Sequence, residues 1–293
     1  MAAAPAAKTP KPNPNPNGEW TLVLPRRVRR LPNQTPYRPV SSSTQTLTPS
    51  PPSPWAPHDP IVDPARVSNL LQRMQSTIVH LEGSQFYRRL LSRFNSPQIQ
   101  RGVSRVSPTR MVVYGIGSIE SYAIPRLQLA LAVLLRREMG PAMVAMEVFD
   151  PILSATECAV AAALGCVVGD VDEKGRRAVT ESTLFYMPHC EVGLYDGLLE
   201  ANWKPSALNR MVVLGNSFSE YASFVSWVRL CGKPTAAAKT SRHVIGVRKY
   251  VEEVGMQDGG KVDEEDRFLK AFHDTSWHFF ELDDDTQMDV LIE

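Results

Sequence analysis

The sequence lacks paired cysteines, long apolar runs and a charge of one dominant sign. Its four cysteines, Cys158, Cys166, Cys190 and Cys231, stand singly through the apolar middle of the chain. That scatter excludes the CxxC spacing of a zinc site, and a chain of 293 residues does not need a disulfide framework. Reduced, buried thiols are the expectation. The longest apolar run, Leu129–Leu135, has seven residues, whereas a membrane-spanning helix needs about 20. No compact apolar segment follows Met1, so neither a membrane span nor a secretory leader is expected. With 32 Lys/Arg against 31 Asp/Glu, the chain has no overall pull toward nucleic acid or an anionic membrane.

The charge that is present is unevenly placed. Residues 1–60 hold seven Lys/Arg against two acids, whereas residues 252–293 are strongly acidic. The same opening stretch holds more than half of the 24 prolines, including Pro10-Lys-Pro12-Asn-Pro14-Asn-Pro16. Such a composition buries too little surface to offset the entropy of ordering it, so residues 1–60 read as a disordered, Pro-rich basic tail. Within it, Arg26-Arg27-Val28-Arg29-Arg30 fits a nuclear-import signal, an anion contact or a plain solvated cluster. The Ala- and Ser/Thr-rich, acid-poor start also has the character of an organelle transit peptide. No recognition motif follows the basic cluster, so nucleic acid is not an expected partner.

Residues 61–108 read as a helical extension. Asp63-Pro64 offers an N-cap acceptor followed by proline at the first helical position. Val67, Leu70, Leu71, Met74, Ile78 and Leu81 then form one apolar stripe, which Gly83 ends. A second amphipathic helix is expected over 84–94. From residue 109 the pattern alternates strand and helix, with its core over 110–232. The short apolar strands are Met111–Tyr114, Val144–Phe149, Cys166–Val168, Thr183–Met187 and Met211–Leu214. Helices are expected over 122–139, over 154–164 behind a Ser154/Glu157 capping box, over 193–201 and from 218. Apolar strands alternating with helices imply an α/β fold, a doubly wound, Rossmann-like, mostly parallel sheet. Beyond it, 239–254 reads as a mixed helix or strand–helix pair, 256–266 as an acidic loop and 267–273 as helical. Trp277-His-Phe-Phe-Glu281 reads as a last strand added at an edge. Met111-Val-Val-Tyr-Gly115 and Met211-Val-Val-Leu-Gly215 echo one another, as two equivalent strand-to-helix turns would.

Several blocks within this frame form a recognisable series. Tyr114-Gly-Ile-Gly-Ser118, Glu147-Val-Phe-Asp-Pro151, Leu164-Gly-Cys166, Gly175-Arg-Arg177, Met187-Pro-His-Cys-Glu191, Asn202-Trp203 and Gly215-Asn-Ser-Phe218 follow one another over about residues 110–222. In residues and order they resemble the Sensitivity to Red Light Reduced family, and Asp274-Thr-Ser-Trp277 is similar to its plant members. The resemblance implies a regulatory protein of phytochrome-dependent red-light signalling and of the circadian clock. It also implies signalling or clock proteins as partners, and residence in nucleus and cytoplasm. It supplies no catalytic residues.

Candidate site residues must therefore come from chemistry. In an open parallel sheet, ligands bind outside the carboxyl ends of the strands. Gly115-Ile-Gly117-Ser118 follows a strand there and is either an anion cradle or a tight turn. Glu120 replaces the third glycine of a dinucleotide fingerprint and would oppose an anion. Asp150 ends the second strand, placed either for ribose hydroxyls or as a loop cap. His189, Cys190 and Glu191 follow the fourth strand, and neighbours on an extended strand point to opposite sides, so the triplet alone forms no chelate. Asn216 and Ser217 add neutral hydrogen-bonding groups. Convergence of Gly115, Gly117, Ser118, Glu120, Asp150, His189, Glu191, Asn216 and Ser217 would suit a nucleotide or an S-adenosylmethionine-like ligand. No metal is expected. An enzyme or ligand sensor is thus the alternative to a regulator that works through protein partners, although no nucleophile–base pair is visible.

Overall fold

The computed structural model describes residues 52–230, 241–256 and 266–292. The basic cluster at 26–30, Cys231 and most of the expected acidic loop at 256–266 lie outside them. The described chain opens with a two-residue strand, β1 (Ser53–Pro54), and three helices, α1 (Pro64–Glu82), α2 (Gln85–Phe94) and α3 (Pro97–Val106). Residues 52–60, read above with the Pro-rich tail, pack against the domain through Trp55 and Asp59. The Trp55 ring meets Phe149 edge-on at 5.2 Å, and its indole N–H donates to the Pro151 carbonyl. The Asp63 carboxylate accepts from the Ala65 and Arg66 amides at the start of α1, and Gly83 is its C-cap. The helical pair is a trio, because Ser96-Pro97 starts α3, which buries Ile99, Gly102 and Val106.

The alternating part follows as β2 (Arg110–Tyr114), α4 (Ala123–Glu138), β3 (Ala145–Phe149), α5 (Ala155–Ala163), β4 (Val167–Val168) and β5 (Val171–Asp172). Next come β6 (Thr183–Met187), α6 (Val192–Ala201), α7 (Pro205–Leu208), β7 (Met211–Asn216) and α8 (Phe218–Leu230). The described chain ends with α9 (Arg242–Val247), β8 (Val251–Gly255), α10 (Asp266–Phe272), β9 (Thr275–Phe280) and a final 3-10 turn. The expected capping box at α5 is present, with Ser154 and Glu157 bonded reciprocally.

Seven strands form one sheet in the order β4-β3-β2-β6-β7-β9-β8, while β1 pairs only with β5. The first five are parallel, with Met111 opposite Met146 and Leu184, and Thr183 opposite Met211. The last two join antiparallel. Near-continuous apolar strands place successive side chains on opposite faces. Met111, Val113, Leu184, Tyr186, Val212, Leu214, Trp277 and Phe279 pack with α1–α5 and α10. Val112, Tyr114, Phe185, Met187, Met211, Val213 and Phe280 pack with α6–α9. The fold is therefore the doubly wound α/β architecture expected. Helix α4 is apolar on most of its surface because it lies between the sheet and α1.

One expectation is corrected. The Trp277–Phe280 strand does not sit at an edge: β9 lies between β7 and β8, with all six residues buried. An unbroken run of large apolar residues requires cover on both faces and pairing on both sides. The edge falls instead to β8, whose Glu252 and Glu253 tolerate water.

Candidate functional site

Strand order reverses between β2 and β6, because β2 leads through α4 to β3 on one side while β6 leads through α6 to β7 on the other. The crevice beyond the carboxyl ends of β2 and β6 is therefore the topological switch point, the usual ligand position in this architecture. Gly115 and Gly117 turn there with φ of +68° and +78°, a conformation that glycine adopts without strain. A Cβ on Gly115 would lie 2.5 Å from the Cys190 sulfur, so the turn also needs glycine for space.

The glycine turn is held by the protein's own acids. Asp150 accepts the Gly117 amide at 2.7 Å and the Ile152 amide at 3.0 Å. Both carboxylate oxygens thus cap loops. Buried Glu157 accepts from the Ser118 hydroxyl at 2.7 Å and from the Glu120 amide at 3.0 Å. Its other oxygen accepts the Ser154 amide and hydroxyl. The Glu120 carboxylate takes two hydrogen bonds from the Arg66 guanidinium, at 3.0 and 2.7 Å. Arg66 also pairs with Asp59 at 3.1 Å, so one guanidinium joins the segment before α1 to the turn.

A second group forms beyond β6. His189 has φ of +54°, a left-handed backbone that costs a non-glycine residue about 1–2 kcal/mol. Its amide donates to the Asn216 side-chain oxygen at 2.8 Å, and the Asn216 side-chain nitrogen donates to the Tyr221 hydroxyl at 2.9 Å. Buried Gln128 of α4 lies 3.3 Å from His189 Nδ1, and the exposed His273 ring packs on the imidazole at 4.4 Å. Burial, then the positive field of His273, hold His189 below the usual histidine range. Ser217 receives the Glu220 amide as the N-cap of α8 and donates its own amide to the Asp274 carbonyl.

The nine candidates thus divide. Gly115, Gly117, Ser118 and Asp150 form one cluster with Glu157, and His189, Asn216 and Ser217 form another beside it. The Glu120 carboxylate turns away to Arg66. Glu191 is exposed at the start of α6 and makes no capping hydrogen bond. The Cys190 thiol is buried, and burial followed by the charges of Asp150 and Glu191 pushes it up to about 12. Such a thiol is not a nucleophile near neutral pH. Among the described residues no cluster of three or more His, Cys, Asp or Glu is arranged to hold a metal ion.

Comparison with known proteins places this sequence in a family. The model of the SRR1 domain matches residues 89–279, which span the sheet from α2 to β9. The chain belongs to the SRR1 family. It is 36% identical over 279 residues to "Protein SENSITIVITY TO RED LIGHT REDUCED 1" of Arabidopsis thaliana, covering 94% of this chain and 95% of that protein. It is also 40% identical over 116 residues to an "SRR1-like protein" of Mus musculus, covering 39% and 47%. A shorter match, 34% over 71 residues, reaches an "SRR1-like protein" of Drosophila melanogaster.

The SRR1 domain also holds a charged cluster that the sequence reading did not assemble. Arg177 donates to Glu147 at 2.6 Å and to Glu173 at 2.8 Å, and its guanidinium lies 5.9 Å from the centre of the Tyr114 ring. The Tyr114 hydroxyl donates to Glu173, while Arg110 bonds Glu181 at 2.8 Å. Arg110, Glu147, Glu173, Arg177 and Glu181 line a cavity of about 430 Å³ that Thr183 and Phe185 also border. One signal was available: Glu147 interrupts an apolar strand, and a charge there needs a counter-ion such as the arginines of Gly175-Arg-Arg177.

Proposed function

We propose that this chain is a regulator of phytochrome-dependent red-light signalling and of the circadian clock, acting in nucleus and cytoplasm through protein partners in those pathways. The carrying observation is the near end-to-end similarity to the plant protein named for reduced sensitivity to red light, 36% identity over 94% of the chain. A regulatory role is supported by the use of Asp150, Glu157 and Glu120 as internal caps and braces, which ties all three carboxylates to the chain's own loops. A partner-facing role is supported by Phe224 and Trp227, one turn apart on α8 and 46% and 62% exposed. Among the described residues no helix is long and apolar enough to cross a membrane.

The test is complementation in Arabidopsis thaliana plants that lack the 36% identical protein. A tagged copy of this chain should restore seedling responses to red light and the period of leaf rhythms, with signal in both nucleus and cytoplasm. Full expression without recovery of either response would end this reading. A second reading, favoured by the imidazole of His189 at the switch point, is a ligand sensor that binds a nucleotide or an S-adenosylmethionine-like molecule at the strand ends.

A further inference from the structure

The segment before α1 is a strap held unequally along its length. At its middle, the Trp55 ring packs on Phe149 and the indole N–H donates to the Pro151 carbonyl. Upstream, β1 adds only a two-residue antiparallel ladder to β5, with Ser53 opposite Asp172 and the Trp55 amide donating to the Asp170 carbonyl at 2.8 Å. Pro54 stands between those two positions, where its missing N–H takes nothing from the ladder. Downstream, the Asp59 carbonyl accepts the Ala155 amide at 2.8 Å, and its carboxylate meets Arg66 at 3.1 Å. The strap is therefore tied firmly at Asp59 and lightly at Ser53, because a two-stranded ribbon has little stability of its own.

Three serines among the described residues precede a proline: Ser53, Ser96 and Ser107. A proline pushes the residue before it into extended backbone, and protein kinases that select Ser-Pro need that serine extended and exposed. Ser96 is the N-cap of α3 with its hydroxyl buried. Ser107 ends the same helix in left-handed backbone, φ +46°, and donates its hydroxyl to the Ser104 carbonyl at 2.8 Å. Ser53 lies in a strand and is exposed.

The charges around Ser53 set what a phosphate there would do. Opposite residues of an antiparallel pair hold their Cβ atoms about 4.5–5.5 Å apart, and diagonal neighbours lie about 7–8 Å away. Asp172 is the opposite residue and Asp170 a diagonal one. Lys174 lies beside them with its ammonium paired to Asp172. Arg176 is engaged by Glu200, and Arg177 by Glu147 and Glu173. A phosphoserine, with close to two negative charges, would thus confront two carboxylates and a lysine already in use.

We propose that Ser53 is a phosphorylation site for a proline-directed protein kinase, and that the phosphate releases the strap. The Ser53 hydroxyl oxygen attacks the γ-phosphorus of ATP and forms the new O–P bond. The bond from that phosphorus to the bridging oxygen breaks, ADP leaves, and the hydroxyl proton passes to a carboxylate base of the kinase. Repulsion by Asp172 and Asp170 then opens the β1–β5 ladder, Trp55 leaves Phe149, and the strap swings on Asp59. Its departure uncovers Phe149 and the Pro151 carbonyl, next to the Asp150 loop that caps the glycine turn. The inference stands on the strap alone and is independent of the light-signalling role.

The experiment uses the full chain labelled with ¹⁵N-tryptophan, treated with ATP and a purified mitogen-activated protein kinase. Mass spectrometry should find phosphate on Ser53. The Trp55 indole N–H resonance, assigned with Trp55→Phe, should move to the position of a free indole, and its exchange with solvent should quicken at least tenfold. Ser53→Ala treated in the same way should keep the signal in place. Once the chain is phosphorylated, about 1 M sodium chloride, which limits screening to about 3 Å, should reverse at least half of the change, as should Asp172→Asn. If Asp172→Asn disturbs the fold, the salt series carries the test. An unmodified Ser53 would overturn the proposal, as would a phosphorylated chain with an unmoved Trp55 signal. So would equal release in Ser53→Ala, or release that neither salt nor Asp172→Asn diminishes.

Discussion

Replacing Glu157 with glutamine should cost the domain about 3 kcal/mol, because one buried carboxylate joins two loops at the switch point. The residue is 2% exposed. Oε1 accepts from Ser118 and the Glu120 amide, and Oε2 accepts from the Ser154 amide and hydroxyl. In Glu157→Gln the amide oxygen keeps the first two partners, but as neutral rather than charge-assisted bonds, a loss of roughly 1 kcal/mol. The amide nitrogen replaces Oε2 and confronts the Ser154 N–H, donor against donor. That orphaned backbone group costs about 1–3 kcal/mol, whereas the Ser154 hydroxyl can rotate to accept. For a domain of this size the sum corresponds to a drop in Tm of roughly 6–12 °C. The assay is thermal unfolding by circular dichroism, repeated with Ser118→Ala and with the double variant. Ser118→Ala alone should cost about 1 kcal/mol, and the pair should couple by a similar amount. A Glu157→Gln chain melting within 1 °C of the parent would refute the reasoning, as would strict additivity with Ser118→Ala.

Three further outcomes follow from packing and charge. Gly102→Ala places a Cβ 2.4 Å from the Phe279 ring, so an overpacking penalty of about 1–3 kcal/mol should exceed the helix-propensity gain of about 1 kcal/mol; urea unfolding should show net loss, and a Phe279→Leu background should abolish it. Arg177→Met leaves Glu173 without its cation and Glu147 with only the more distant Arg110, at 3.8 Å, and should destabilise by about 3 kcal/mol, with part of the loss recovered by adding Glu147→Gln; a chain as stable as the parent would show that the cluster is only a solvated surface feature. Buried His278 donates from Nδ1 to the Val213 carbonyl and accepts the Phe218 amide at Nε2, and burial lowers it to about 4 despite the opposing field of Glu253. Its folded pKa lies below the unfolded value of about 6.5, so its contribution is complete above pH 6.5 and declines as pH falls toward 4. A His278→Gln chain should lose that part of the slope in urea midpoint against pH, and parallel profiles would count against the assignment.

Much of the architecture was legible because its signals are local. Apolar runs such as Thr183–Met187 and the Ser154/Glu157 box depend on neighbouring residues alone. Helix α3 was not legible: Pro97-Gln-Ile-Gln-Arg-Gly-Val has few apolar positions, and Gly102 is explained only by Phe279, far along the chain. The apolar run of β9 called for cover on both faces, but its place between β7 and β8 follows from the topology. The site residues show the same division. Position at strand ends could be read for Gly115, Asp150, His189 and Asn216, but their hydrogen-bond partners could not. Gln128 is hidden at the start of an apolar helical run, and the attachment of Glu120 to Arg66 joins segments that share no motif. Sequence identified which residues reach the rim; only the fold shows which of them are already engaged with the chain itself.

The insertion of β9 between β7 and β8 also bears on how the protein is made. While the chain leaves the ribosome, β7 is complete some sixty residues before Thr275 emerges. Until then β7 presents an unpaired edge that is apolar over Met211–Leu214, and Gly102 of α3 has no Phe279 to pack against. Such an edge is a template for pairing with other nascent chains. The interval before β9 arrives is therefore where the protein depends most on chaperones. A nonsense mutation anywhere between residues 217 and 274 would leave that interval permanent and yield an aggregation-prone sheet without β9 rather than a smaller working domain.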